Sequence, residues 1–101
     1  MKRNQAIKML RQWHEECIEA AKCLPAGYHA IVETQERTYS DGTAYSYGAI
    51  IYNENTDDAD TKRRFDSIYA FRSDEENIAI FNENLEAFKA DAENLKKQHA
   101  A

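Results

Sequence analysis

The dipeptide Asp41-Gly42 constrains the fold more than any other feature, because it lies between two segments that are rich in β-branched and aromatic residues. Asp-Gly favours a type I′ turn, in which both central residues have a positive φ, and this turn joins the strands of a β-hairpin. Pairing residues 28–40 with the segment that follows sets Val32 opposite Ile51 and Thr34 opposite Ala49. We therefore expect an antiparallel hairpin in the middle of the chain.

The two faces of this predicted hairpin differ in polarity. Side chains alternate between the faces of a strand, so each face can be read from every second residue. The apolar face carries Ala30, Val32, Thr34, Tyr47, Ala49 and Ile51. The opposite face carries Glu33, Gln35, Arg37, Tyr39, Ser46, Ile50 and Tyr52. We expect helices to cover the first face and water to reach the second.

Two amphipathic helices are predicted, one at each end of the chain. In residues 4–24, apolar positions recur in steps of three and four, and Pro25 and Gly27 then stop the helix. The second helix begins at a capping box that runs from Ser73 to Glu76 and continues nearly to the end of the chain. The apolar positions of the first helix could also form a coiled-coil seam, but Trp13 favours a domain core.

A third strand is predicted at residues 65–71, with Phe65, Tyr69 and Phe71 on one face, after a polar connector at residues 53–61. The fold class is therefore α+β, in the order α-β-β-β-α. We expect one domain over residues 1–101, a three-stranded antiparallel meander with both helices on one face. The predicted core is Leu10, Trp13, Val32, Ile51, Phe81, Leu85 and Phe88.

The sequence carries no strong sign of catalysis or of a cofactor. The cysteines and histidines that could gather at a metal, His14, Cys17, Cys23 and His29, are three, six and six residues apart, which matches no common zinc pattern. A nucleophilic pair of Cys17 with His14 would need an orienting group that the sequence does not identify. The glycines are isolated, so no phosphate-binding loop is expected. We predict a non-enzymatic protein with no metal site and no cofactor.

The net charge of the chain bears on its partner, and its first residues and the length of its apolar runs bear on its compartment. A net charge of −5 and a pI of about 5.1 disfavour direct binding to nucleic acid, which needs Lys and Arg against phosphates. Met1, Lys2 and Arg3 lead into the first helix without the apolar core of a signal peptide, and no apolar run reaches membrane-spanning length. We expect a cytoplasmic protein with unbridged cysteines.

Protein binding is the function that these features favour. Exposed tyrosines supply rigid contact area, and clustered carboxylates steer association toward basic surfaces. The predicted partner-binding residues are Tyr39, Tyr52, Asp57, Asp58, Asp60, Glu76, Glu83 and Glu86. Solvated loop and helix surfaces would explain the same carboxylates without any partner. Tyr39 and Tyr52 could also stack on bases, but few basic residues surround them.

A short acidic chain with strands between terminal helices, and with carboxylate runs at residues 54–60 and 74–93, resembles the small inhibitors encoded by phages and mobile elements. Anti-CRISPR proteins are the best-known group of these. The resemblance implies an acidic surface that imitates nucleic acid and blocks the basic channel of a CRISPR effector inside the host cell. The basic triplet Lys62-Arg63-Arg64 departs from this acidic pattern.

Two other classes of function remain open from the sequence. A structural or regulatory subunit would associate with itself through the open sheet face or the edge of the third strand, giving a homodimer rather than a monomer. A small enzyme would need a carboxylate held away from water, and the carboxylates here lie in hydrophilic runs. A self-associating subunit requires a mass that depends on concentration, whereas an inhibitor does not.

Overall fold

A computed structural model describes residues 1–56 and 62–99 of the chain. The elements follow the order α1 (Arg3–Ala21), β1 (Tyr28–Tyr39), β2 (Gly42–Asn53), β3 (Lys62–Ile68) and α2 (Asp74–Gln98). The strands form one antiparallel sheet in the order β1-β2-β3. The predicted α+β class and the α-β-β-β-α order are confirmed.

The hairpin turn differs from the prediction in its position and type. Tyr39 pairs with Gly42, so the turn residues are Ser40 and Asp41. Neither turn residue has a positive φ, whereas Gly42 has a φ of 150°. The predicted type I′ turn at Asp41-Gly42 is therefore wrong, and Val32 lies opposite Ala49 rather than Ile51. A shift of two residues leaves every side chain on its predicted face.

Both helices pack on the apolar face of the sheet. The ring of Trp13 in α1 lies 4.7 Å from that of Tyr47 in β2 and 5.9 Å from that of Phe81 in α2. The Tyr47 and Phe81 rings are 5.2 Å apart, so one aromatic cluster joins all three elements. Of the predicted core, Val32 is half-buried against the cluster, and the other six residues are buried: Leu10, Trp13, Ile51, Phe81, Leu85 and Phe88.

Two elements end earlier than predicted. The first helix ends at Ala21 because the N–H groups of residues 22–24 bond to carbonyl oxygens three residues back, at 3.2–3.4 Å, which tightens the last turn. The third strand ends at Ile68. There the buried side chain of Asn77 bonds to both the N–H and the C=O of Tyr69, at 3.2 and 3.0 Å. Tyr69 and Phe71 therefore follow the strand instead of belonging to it.

The outer end of the β1–β2 hairpin extends past the rest of the sheet. Only residues 45–51 of β2 pair with β3, so residues 37–44 form a two-stranded segment, which we call the hairpin arm. Every position from 37 to 43 is exposed. At the base of the arm, the Arg3 guanidinium donates two hydrogen bonds to Glu36, at 2.7 and 2.9 Å. The arm contributes to an elongated shape of 50 × 24 × 19 Å.

Candidate protein-binding surfaces

The first candidate surface is the outward side of α2. Glu76, Glu83 and Glu86 are exposed there, opposite the buried side chains of Phe81 and Leu85, and we call these three glutamates the acidic stripe. The helix starts where the sequence predicts, because the Ser73 Oγ accepts a hydrogen bond from the Glu76 N–H at 3.1 Å. The stripe therefore sits on a capped, regular helix.

Other acidic residues of α2 are paired within the chain. Asp74 lies 3.3 Å from the N-terminal ammonium group. Asp91 accepts two hydrogen bonds from the Arg64 guanidinium, at 2.9 and 3.1 Å. These hydrogen bonds raise the pKa of Arg64. Because side chains alternate along β3, Arg64 points toward the helices and reaches Asp91. With Asp74 and Asp91 paired within the chain, the unpaired acidic surface of α2 is smaller than the sequence suggests.

The second candidate surface is the open face of the sheet, on the side away from both helices. Tyr39 and Tyr52 both belong to this face, but Tyr39 pairs with Gly42 and Tyr52 pairs with His29. Ten strand residues separate these two rows, about 33 Å at 3.3 Å per residue. The Tyr52 ring stacks on the His29 ring at a centroid distance of 5.2 Å.

The predicted partner-binding residues therefore do not form one site. The tyrosines lie on the open face, and the acidic stripe lies on the other side of the molecule, on the outer surface of the helix layer. The remaining predicted residues, Asp57, Asp58 and Asp60, lie outside the described residues. The sequence already implied this separation, because alternation assigned the tyrosines to one face of the sheet and both helices were expected on the other.

A hollow of about 450 Å³ in the open face was not predicted. Its floor contains the small residues Ser46, Gly48 and Ser67, and its rim includes Glu33, Gln35, Arg37, Phe65 and Tyr69. The Phe65 ring lies over Gly48 so closely that a Cβ at position 48 would be 2.5 Å from Phe65 Cδ1. A glycine inside a strand often marks such a close approach, and this was the signal available in the sequence.

An aromatic group extends the open face past the end of β3. The Tyr69 and Phe71 rings stack at 4.8 Å, and the Arg72 guanidinium lies 4.6 Å from the centre of the Tyr69 ring. Arg72 also pairs with Asp66 at 3.2 Å, which holds it in place. Phe71 is 82% exposed, an unusual position for a large apolar side chain.

Two titratable groups that could act as nucleophiles lie buried among the described residues. Burial raises the pKa of the Cys17 thiol to about 12 and that of the Tyr47 hydroxyl to about 12, so both are protonated at neutral pH. His14, considered above as a metal ligand and as the base of a nucleophilic pair with Cys17, is exposed. Among residues 1–56 and 62–99, no three His, Cys, Asp or Glu side chains are grouped closely enough to hold a metal ion. Within the same residues, neither helix has the length and apolar character to cross a membrane.

Fold and surfaces together define a small α+β protein with two separate candidate binding surfaces, an acidic helix face and an open sheet face. No family model, curated protein or solved structure matches this chain. Its function is therefore inferred from the physical properties of these two surfaces.

Proposed function

We propose that this protein is a non-enzymatic inhibitor that uses the acidic stripe to bind and block a basic surface of a nucleic-acid-handling protein, in the manner of an anti-CRISPR protein. The observation that carries the proposal is the exposure of Glu76, Glu83 and Glu86 on the outward side of α2. Among the described residues, only Lys89 forms an ion pair with the stripe, at 3.5 Å from Glu86.

The stripe presents like charges in a row along one side of a helix, as a nucleic-acid strand presents its phosphates. Glu76 and Glu83 are seven residues apart, which is about 10.5 Å along a helix with a rise of 1.5 Å per residue. The net charge of −5 adds a long-range attraction toward basic partners and speeds their encounter.

The proposal rests on the three glutamates of the acidic stripe and not on the other predicted partner-binding residues. Tyr39 and Tyr52 lie on the opposite side of the molecule and cannot contact the same flat patch of a partner as the stripe. Asp57, Asp58 and Asp60 lie outside the described residues, and the proposal does not depend on them. A CRISPR effector is one partner of the required chemistry, because its nucleic-acid channel is basic.

The test uses a charge reversal in the stripe and a matched reversal elsewhere. Glu83→Lys/Glu86→Lys reverses two of the three charges of the acidic stripe, whereas Glu15→Lys/Glu19→Lys makes the same change in net charge on the exposed side of α1. We expect the wild type to capture a nucleic-acid-binding protein from a lysate of its host and to compete with DNA or RNA for it. Its association rate should fall as the salt concentration rises, because at about 0.15 M salt charges more than about 8 Å apart are largely screened.

The two variants give opposite expectations. The stripe reversal should slow association with the captured partner by roughly tenfold or more, and the α1 reversal should change it little. Circular dichroism should show that both remain folded, since all four positions are exposed. If the two reversals weaken binding equally, or if nucleic acid does not compete, the acidic stripe is not the inhibitory surface.

A further inference from the structure

The open face of the sheet has a pattern of residues that is complementary to itself. Gln35, Ser46 and Ser67 lie side by side on β1, β2 and β3 and form one row across the sheet, which we call the central row. Three pairs of residues at equal distances on either side of this row are complementary in charge or in apolar character. A second copy turned end for end about the central row would therefore meet matching residues.

Charge gives the first match. Glu33 and Arg37 each lie two residues from Gln35, on the same face of β1. Neither side chain forms an ion pair with any described residue, and the Arg37 guanidinium donates a hydrogen bond to the neutral Gln35 side chain at 2.8 Å. A two-fold axis parallel to the central row places Glu33 of one copy opposite Arg37 of the other, twice in the dimer.

Exposed apolar residues give the second match. On the β3 side, Phe65 and Tyr69 lie two residues before and after Ser67 and are 51% and 39% exposed. On β1, Ile31 and Tyr39 lie four residues before and after Gln35 and are 41% and 53% exposed. The same two-fold axis brings Phe65 to Tyr69 and Ile31 to Tyr39, and burying these apolar and aromatic side chains against each other favours the dimer.

The hairpin arm gives a third, independent argument. An isolated two-stranded hairpin is marginally stable in water, yet residues 37–43 are exposed throughout and pair only within the arm. In the two-fold arrangement, the arm of each copy lies across the row of the partner that contains Glu33, Gly48 and Phe65. Each arm then has a packed sheet beneath it.

From these matches we propose that the open face binds a second copy of this chain in a symmetric dimer. The two-fold axis lies between the two sheets and runs parallel to the central row, at right angles to the strands. The sheets pack face to face at about 10 Å, as in β-sandwiches. Both helix layers face outward, so the acidic stripes lie on opposite sides of the dimer. The dimer goes beyond the proposed inhibition and does not depend on it.

A charge exchange tests the pairing of Glu33 with Arg37. Glu33→Arg and Arg37→Glu each place like charges opposite one another twice, and we expect each to raise the dimer dissociation constant by roughly tenfold or more. The exchange variant Glu33→Arg/Arg37→Glu restores opposite charges and should restore the dimer. Sedimentation velocity over a range of concentrations measures the mass against 11.7 kDa for one chain.

The control variant is Glu83→Lys, which reverses a charge on the outward side of α2 and should leave the dissociation constant unchanged. All three positions of change are exposed, so thermal unfolding should confirm that each variant is folded. A wild type that remains a monomer up to about 1 mM, where even weak association with a free energy near 4 kcal/mol is visible, overturns the proposal. So does a dimer that the single reversals do not weaken, or that the exchange does not restore.

A cross-linking experiment tests the position of the axis. In a Cys23→Ser background, Gln35→Cys places a thiol on the central row, directly opposite its own copy. A bis-maleimide that spans about 10 Å, the distance between packed sheets, should link this variant into a covalent dimer. Glu83→Cys should react as a monomer under the same conditions. Equal dimer yields from the two variants would contradict the proposed axis.

Discussion

Gly48 connects the two sides of the sheet at a single position. From the helix side, the Trp13 Nε1 donates a hydrogen bond to the Gly48 carbonyl oxygen at 3.0 Å. From the open side, the Phe65 ring covers the same residue. The backbone of β2 is therefore held between an indole and a phenyl ring, and only a residue without a Cβ fits beneath Phe65 where it now lies.

Trp13 should be among the residues on which stability depends most. Its side chain is fully buried, contacts Tyr47 and Phe81, and satisfies the Gly48 carbonyl. We expect Trp13→Ala to cost about 3–5 kcal/mol of unfolding free energy, from lost contacts and the cavity left behind. Chemical denaturation measures the change, with Ile18→Ala, at a 40% exposed position of the same helix, as the control. Equal midpoints for the two variants would contradict the packing of α1 on the sheet.

The sequence predicts the environment of single residues better than their pairing. Alternation assigned Tyr47, Ala49 and Ile51 to the buried face correctly, because a strand repeats every two residues whatever its register. The register itself depended on which residues form the turn. Asp41-Gly42 suggested one answer, but the chain turns at Ser40 and Asp41 without a positive φ at either residue.

The two helices are joined to each other and to the sheet by ion pairs that cross the surface of the core. Lys89 of α2 donates a hydrogen bond to Glu16 of α1, and Arg64 of β3 donates two to Asp91 of α2. Neither pair could be predicted from helical periodicity, since periodicity shows that a residue borders the apolar stripe but not which element lies beside it. The end of β3 was missed for a similar reason: Asn77 belongs to α2, and helical periodicity does not show that its side chain bonds to the backbone of Tyr69, eight residues earlier.

The pair between the helices should make stability depend on pH in the acidic range. The hydrogen bond from Lys89 holds the pKa of Glu16 below its ordinary value. Stability from this pair is therefore present above the ordinary glutamate pKa of about 4.3 and lost as pH falls through the lower folded value. Because both side chains are 35% exposed, we expect less than about 1 kcal/mol.

Thermal midpoints at a series of pH values check this dependence. The wild type should lose more stability than Glu16→Gln between neutral pH and about pH 3, since the variant has no carboxylate to protonate at this position. Glu36 has its pKa lowered in the same direction by Arg3 and contributes to both curves equally. Parallel curves for the two proteins would show that the Glu16–Lys89 pair adds nothing to stability.

The molecule as a whole is asymmetric about its sheet, with a helix layer on one side and an open face on the other. This asymmetry explains why the predicted binding residues separate into two groups. Strand alternation predicted Tyr39 on the face away from the helices, and helical periodicity predicted Glu83 on the outward side of α2, so the sequence already implied this separation. The packing of both helices on one face of the sheet confirms it.

Amide hydrogen exchange should divide the molecule into a protected body and a less protected hairpin arm in the monomer. Amides of residues 37–44 pair only within the arm, whereas those of residues 45–51 lie in the centre of the sheet. At a concentration where the Glu33→Arg variant is monomeric, we expect the arm to exchange at least about tenfold faster than the body. The wild type at concentrations that favour the dimer should protect the arm. Equal protection of the arm in both proteins would contradict its burial by a second copy.

Trp13 is the one tryptophan in the chain, and its position has an optical consequence. The indole lies at the contact of α1, β2 and α2, within 4.7 Å of the ring of Tyr47, and its nitrogen is hydrogen-bonded inside the core. Its emission should therefore be blue-shifted in the folded protein, and nearby tyrosines should transfer excitation energy to it. Loss of either signal reports separation of the helices from the sheet, without any attached dye.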